Sequence, residues 1–206
     1  MSERKYSTGE EITNSISHTL GVLFSIYALV IMAMKSTTPT ESATSAIFGA
    51  SMFILFQSSA LYHALTNEKA KRVFQKIDHS AIYILIAGTY TPILLLTVPP
   101  PYSIAIMSMI WYLAILGIVF SCISLKSKHI GTGIYLLMGW MSLGLVYYIW
   151  TNGSHMAVAY LIGGGLLFSV GAIFYLMKYK YMHTIWHLFV IAGVIMHYLA
   201  ILELIK

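Results

Sequence analysis

Charge is scarce in this chain. Lysine, arginine, aspartate and glutamate together make up 9% of its 206 residues, against about 25% in ordinary soluble domains. So few charges cannot cover a soluble protein of this size, which excludes that class. Cysteine is nearly absent. Cys122 stands alone, so no intrachain disulfide can form, and in its apolar run it reads as a small packing residue. No basic run or recognition motif accompanies the net charge of +5, so nucleic acid is not expected as a partner. Residues 1–11 lack the charged-then-apolar-then-cleavage layout of a signal peptide, and the first apolar run is expected to be retained. There is no second domain, low-complexity segment or internal repeat.

What the chain has instead is apolar sequence in long runs. Apolar types make up 58% of it, and its mean hydropathy is +0.78. The runs fall at 16–35, 43–65, 79–98, 102–125, 130–150, 156–177 and 184–204. Each has the roughly 20 residues that carry a helix across a bilayer, whereas a barrel strand needs only about 9–11. The breaks hold Pro39, Pro99-Pro100-Pro101 and Thr151-Asn152-Gly153-Ser154, all turn or breaker signals. The expected architecture is all-α: one polytopic domain over 1–206 with seven transmembrane helices, opened by a short cytoplasmic segment at 1–14. Gly88 and Pro92 predict a bend in the third span, because proline removes a backbone hydrogen bond. Gly163-Gly164-Gly165 predicts close helix contact in the sixth.

Basic residues set the direction. Seven spans place Arg4, Lys5, Lys69, Lys71, Arg72, Lys76, Lys126, Lys128, Lys178 and Lys180 on one side, and Lys35 and Lys206 on the other. Ten against two predicts a cytoplasmic N-terminus and a C-terminus outside. Basic residues beside anionic lipid also account for the net charge. Tyr147, Tyr148 and Trp150, and Tyr175, Tyr179, Tyr181 and Trp186 around the sixth loop, read as aromatic belts at headgroup level.

Against this apolar background a few polar residues stand out. Glu3, Glu10, Glu11, Glu41, Glu68 and Glu203 fall at or beyond span ends, and the sole aspartate, Asp78, stands where the third span begins. An ionisable group at membrane depth is costly and marks function by default; the plain alternative for Asp78 is a helix N-cap. His63 ends the second span, with Ser59 four residues earlier on the same helix face. His183 and His187 open the seventh span. At i and i+4 their Cβ atoms are about 5–6 Å apart, which lets two imidazoles share one ion at about 2.0–2.1 Å.

Such pairs are common by chance, but the topology brings the candidates of spans two, three and seven to one membrane face. His63, His183 and His187 supply three nitrogens and leave a fourth position open, the usual catalytic zinc arrangement; spacing alone does not identify the metal. Asp78 is expected beside the metal's water or a ligand imidazole, with Ser59 adding one hydrogen bond. A closed structural site with Asp78 as fourth ligand is the competing arrangement. From the first span, Glu11, Asn14 and His18 are expected to brace the site rather than ligate. The alternative is a plain helix start, with Glu11 favoured by the helix dipole. His197 lies about 15 Å deeper than His187, too far to share the ion. His129 and His155 lie in loops, and His79 is expected to point about 100° away from Asp78.

Four stretches in this order resemble the haemolysin III branch of the progestin and adipoQ receptor superfamily. They are Gly9-Glu10-Glu11-Ile12-Thr13-Asn14-Ser15-Ile16-Ser17-His18; Ser59-Ala60-Leu61-Tyr62-His63; Asp78-His79-Ser80-Ala81-Ile82-Tyr83 running on to Gly88-Thr89-Tyr90-Thr91-Pro92; and His183-Thr184-Ile185-Trp186-His187. The resemblance covers about residues 10–204. It implies a multi-pass protein of the bacterial plasma membrane with its N-terminus inside, and zinc held by His63, His183 and His187 with Asp78 reached through water. The superfamily's eukaryotic receptors carry a long N-terminal domain and bind an extracellular hormone. Here about ten residues precede the first motif and the outer loops are short, so no protein hormone is expected.

Two functions compete. The first is a zinc-dependent hydrolase of an amide or ester bond in a membrane lipid, with Asp78 as general base; the related receptors resemble ceramide-cleaving enzymes in this layout. The second is a non-enzymatic factor, cytolytic as the family name implies or adjusting the membrane, in which the metal is structural. Few polar residues occupy the outer halves of the spans, which argues against a monomeric channel and leaves an oligomeric pore open.

Overall fold

The structure, a computed structural model, describes residues 6–123 and 128–205. Arg4, Lys5, Lys126 and Lys206 of the charge count, and Glu3, lie outside the described residues, as does the side chain of Lys128. Eight helices follow in order: α1 Thr8–Lys35, α2 Pro39–Ala64, α3 Glu68–Thr97, α4 Tyr102–Ile123, α5 Lys128–Trp140, α6 Leu143–Asn152, α7 His155–Leu176 and α8 Met182–Leu204. Seven spans are long and apolar enough to cross a membrane, α5 and α6 together forming the fifth at His129–Asn152. No strand occurs among the described residues, so the all-α expectation holds.

Helix starts carry their own signals. Ser7 and Glu10 make a capping box on α1, and Thr38 and Glu41 make one on α2, where Pro39 opens the first turn. Both follow the reciprocal pattern that satisfies two orphan N–H groups. Asn67 caps α3, accepting from the Lys69 and Ala70 amides at 3.1 Å. Because α3 begins at Glu68, Asp78 lies inside it and is no N-cap. Polar sequence before a span does not stop a helix; only a missing cap or a breaker does.

α1 is built inside out, as a bilayer requires. Its buried face is Glu10, Asn14, Ser17, His18, Gly21 and Ser25. Its exposed face is Ile12, Ile16, Leu20, Leu23, Tyr27, Val30 and Met34. Both recur every three or four residues, so one stripe faces lipid while the other carries polar groups into the bundle. α8 packs against α1, α3 and α7 and so joins the two ends of the chain.

The fifth span differs from the expected single run over 130–150. It breaks between Trp140 and Leu143. The freed carbonyls are taken up locally. Tyr90 of α3 donates its hydroxyl to the Met138 carbonyl at 2.9 Å and lies 3.2 Å from that of Gly139. Ser142 donates its hydroxyl to Gly139 at 2.8 Å. A broken helix is tolerated at membrane depth when neighbours satisfy the backbone in this way. α3, by contrast, runs helical through Gly88 and Pro92 to Thr97. The glycines act through close approach: a Cβ at Gly88 would overlap the Ser51 side chain of α2, and one at Gly164 the His197 ring of α8.

Two expectations about surface residues need correction. Cys122 is exposed rather than packed. Tyr179 and Tyr181 are exposed, but Tyr175 and Trp186 are buried in the bundle. They fall on the inward faces of α7 and α8 and form cavity wall, not belt.

Candidate metal centre

Where α2 ends and α1 and α8 begin, three imidazoles converge. His63 comes from the last turn of α2, and His183 and His187 from the first two turns of α8. One ring nitrogen from each lies within 4.8 Å of the others. His63 Nε2 and His183 Nε2 are 3.2 Å apart. Two nitrogens bound at 2.0–2.1 Å to one tetrahedral ion stand about 3.3 Å apart, so this spacing fits a metal.

The outer nitrogens support the same reading. His63 Nδ1 meets Glu11 Oε2 at 2.6 Å, and Glu11 Oε1 pairs with Lys71 Nζ at 2.7 Å. His187 Nδ1 lies 3.0 Å from the Ser17 hydroxyl and 3.2 Å from the Asn14 carbonyl. Each of these rings therefore gives its Nδ1–H to an oxygen and turns Nε2 toward the common point. Metal-ligating histidines are held in this manner, by a carboxylate or backbone carbonyl behind the ring. Of the bracing residues, Glu11 and Asn14 stand behind the imidazoles; the Asn14 amide also accepts from Thr184 at 2.5 Å. His18 stacks on His187 with centroids 3.6 Å apart and an interplanar angle of 11°.

The start of α8 is itself held in place. Tyr181 adopts the left-handed conformation at φ 64°, which costs a non-glycine residue about 1–2 kcal/mol. Its N–H donates to Glu10 Oε1 at 3.0 Å, while Glu10 Oε2 accepts from the Ser7 amide and hydroxyl. The buried Glu10 carboxylate thus ties the head of α1 to the turn two residues before His183.

His183 and His187 open onto a cavity of about 130 Å³ that runs down the bundle. Asp78, Ser59, His18, His183 and His187 line its polar end, and Leu85, Ile86, Leu161, Phe168 and Val190 line its walls. Asp78 is not among the atoms within 4.8 Å of one another; its carboxylate lies 3.6 Å from His79 Nδ1. His79 shares the cavity wall despite its place around the helix. Its Nδ1 donates to the Gln75 carbonyl at 2.8 Å, and its Nε2 lies 3.4 Å from the Tyr175 hydroxyl. His197 lines the cavity as well, packed over Gly164.

Sequence reasoning missed four participants. Lys71 read only as a topological charge, yet it holds Glu11. Ser17 and Thr184 had no assigned part, and Tyr6 packs its ring 5.1 Å from that of His183. The polar stripe of α1 at helical spacing was the available signal for Ser17.

Known proteins are similar to this chain along most of its length. The family described as Haemolysin-III related matches residues 6–198. Hemolysin-3 of Bacillus cereus is 40% identical over 198 residues, covering 94% of this chain and 90% of that protein. The Hemolysin-3 homolog of Bacillus subtilis (strain 168) is 42% identical over 193 residues, 91% of each. The human monocyte to macrophage differentiation factor is 28% identical over 200 residues, 93% of this chain and 83% of its own length. With its seven apolar helices and these relatives along nearly its whole length, the chain is a multi-pass membrane protein that belongs to the haemolysin III family, within the progestin and adipoQ receptor superfamily.

Proposed function

We infer that this protein is a membrane-embedded hydrolase that holds zinc through His63, His183 and His187 and cleaves an amide or ester bond of a membrane lipid. One observation carries the reading: of three imidazoles with mutually close nitrogens, His183 and His187 line an apolar cavity that also receives the chain's only aspartate. Three nitrogens and no fourth side chain in the group among the described residues match an open rather than a closed site. When bound, zinc supplies Lewis acidity, polarising a carbonyl and bringing the pKa of a water to about 7.

The chain's own residues do the rest. Asp78 accepts a proton from water at the cavity head and hands it to the departing amine or alcohol. Glu11 and the Asn14 carbonyl fix the His63 and His187 rings so that Nε2 faces inward. Ser59 offers a hydroxyl to the substrate's polar group. The leucine, isoleucine and phenylalanine walls take an acyl chain and exclude water. Basic residues cluster at this end of the bundle, which supports placing it at the cytoplasmic face.

The test is hydrolysis of labelled lipid amides and esters by the purified full-length protein in liposomes. Turnover that depends on zinc and is lost in His187→Ala supports the reading; equal turnover by the variant ends it. A second reading, a cytolytic factor with structural metal, is favoured by the printed name of the B. cereus relative. Dye release from liposomes that persists after chelation would select it.

A further inference from the structure

The histidine cluster stands at the termini of α1, α2 and α8, yet it is covered. The His63 side chain is 0% exposed although it lies in the last turn of α2. His187 is buried and His183 half-buried. Side chains outside the cluster supply the cover. Tyr62 lays its ring 4.5 Å from that of His63. Glu11 and Lys71 close another flank as an ion pair, with Lys71 Nζ 5.2 Å from the centre of the Tyr62 ring. Tyr6 lies against two of the imidazoles at once, its ring 5.1 Å from that of His183 and 5.7 Å from that of His63. The cavity is reached from another side: His183 and His187 line it, and neither Tyr6 nor His63 does.

These covers differ in how they are held. Tyr62 is buried within α2, and Glu11 is gripped by both His63 and Lys71. Tyr6 precedes the Ser7 N-cap and belongs to no helix. A hydrophobic residue in that place often packs on the fourth position of its own helix. Here the fourth position is Glu11, whose carboxylate is taken by His63 and Lys71. The Tyr6 ring reaches across to α2 and α8 instead. Its base is fixed. Glu10 Oε2 accepts from the Ser7 amide at 3.0 Å, and Glu10 Oε1 accepts from the Tyr181 amide at 3.0 Å. A pinned base and a ring outside any helix make a hinged cover, which opens by side-chain rotation between staggered rotamers and leaves every helix intact.

We propose that the Tyr6 ring is a gate on the path of a metal ion between the solvent beyond the helix ends and the histidine cluster. The proposal rests on the zinc reading above and adds control of exchange to it. The imidazoles hold the ion, and the ring covers them. A cover that must swing aside for passage in either direction scales entry and exit by one factor. It favours neither the loaded nor the empty state, so the affinity stays as it was. A residue that supports a ligand acts differently: its loss weakens binding itself. The two rates and their ratio therefore separate a gate from a brace.

The experiment uses purified full-length protein in detergent and zinc alone as the probe. Exit is timed by stopped-flow mixing of loaded protein with a chromogenic chelator, and entry by mixing stripped protein with zinc and an indicator. In Tyr6→Ala both rates are expected to rise about tenfold, the worth of the lost aromatic contacts, with Kd within about twofold of native. Tyr6→Phe keeps the ring, and its rates are expected to stay within about threefold of native. Unchanged rates in Tyr6→Ala overturn the gate and leave the metal reading standing. Faster exit alone, with Kd raised by the same factor, also overturns it and makes Tyr6 a support for His183. A native protein that binds no zinc overturns the gate and the metal reading together.

Discussion

The Glu11 carboxylate and the His63 imidazole meet at 2.6 Å, on the ring nitrogen turned away from His183. One carboxylate therefore joins the half-buried charge of Lys71 to the interior of the histidine cluster. The contact sets the tautomer: a proton on Nδ1 leaves the Nε2 lone pair facing the cluster. Replacing Glu11 with glutamine keeps the shape and weakens the acceptor. Zinc affinity of Glu11→Gln, measured by competition with a chromogenic chelator, is expected to fall about 10–100-fold, the usual effect of losing a group behind a ligand. An unchanged affinity would separate Glu11 from the metal site.

Metal content is the most direct check on the imidazoles. Purified protein is expected to carry about one zinc per chain, and His183→Ala well under half of that, because two nitrogens rarely retain the ion. Bound metal also stabilises the fold it bridges. At a hundredfold excess over Kd the gain is about 2.7 kcal/mol, so chelation is expected to lower the Tm by several degrees in the native protein and to leave His183→Ala unmoved. A Tm drop of equal size in both would mean that the chelator acts elsewhere.

Most of this fold and part of the site were legible in the sequence. Run length gave seven spans because the bilayer imposes a length and little else. The i, i+4 pair His183 and His187 was visible because helical spacing is fixed. His63 needed the topology as well, and Glu11 was legible as a brace from the polar residues that open the first span at the same membrane face. The break near Met141 was not readable: the group that makes it tolerable is Tyr90, nearly fifty residues away, whose hydroxyl meets the freed carbonyls. The part played by Lys71 was hidden for a similar reason. A lysine near a span end reads as a topological charge, and only the packing of α1 against α2 and α3 shows which carboxylate it meets.

Orientation has its own test. The described basic residues near the histidine end are Lys69, Lys71, Arg72, Lys76, Lys178 and Lys180, while Lys35 caps the far side by donating to the Leu202 carbonyl at 2.6 Å. A charge bias of this kind points the histidine end to the cytoplasm. A reporter active only outside the cytoplasm, fused after the last residue, is expected to give signal, and the same reporter fused ahead of the first residue to give none. The opposite pattern would place the site on the outer face and remove the cytoplasmic part of the proposed function.

Tyr90 supports the cavity at its far end rather than at the histidine cluster. Its hydroxyl is buried and donates to the Met138 carbonyl at 2.9 Å, with the Gly139 carbonyl 3.2 Å away. Both carbonyls border the break between α5 and α6, and the lipid around them offers no donor. Tyr90→Phe removes the donor and little volume. The expected loss of stability is about 1–3 kcal/mol, the range for a buried acceptor left short of a partner, read as a lower midpoint in thermal unfolding. Zinc content is expected to stay near one per chain, since Tyr90 is remote in sequence and bonding from Glu11, Asn14 and the three imidazoles. If Tyr90→Phe unfolds like the native protein, the Ser142 hydroxyl, which reaches Gly139 at 2.8 Å, satisfies the break alone, and a Tyr90→Phe, Ser142→Ala double variant is then expected to show the loss.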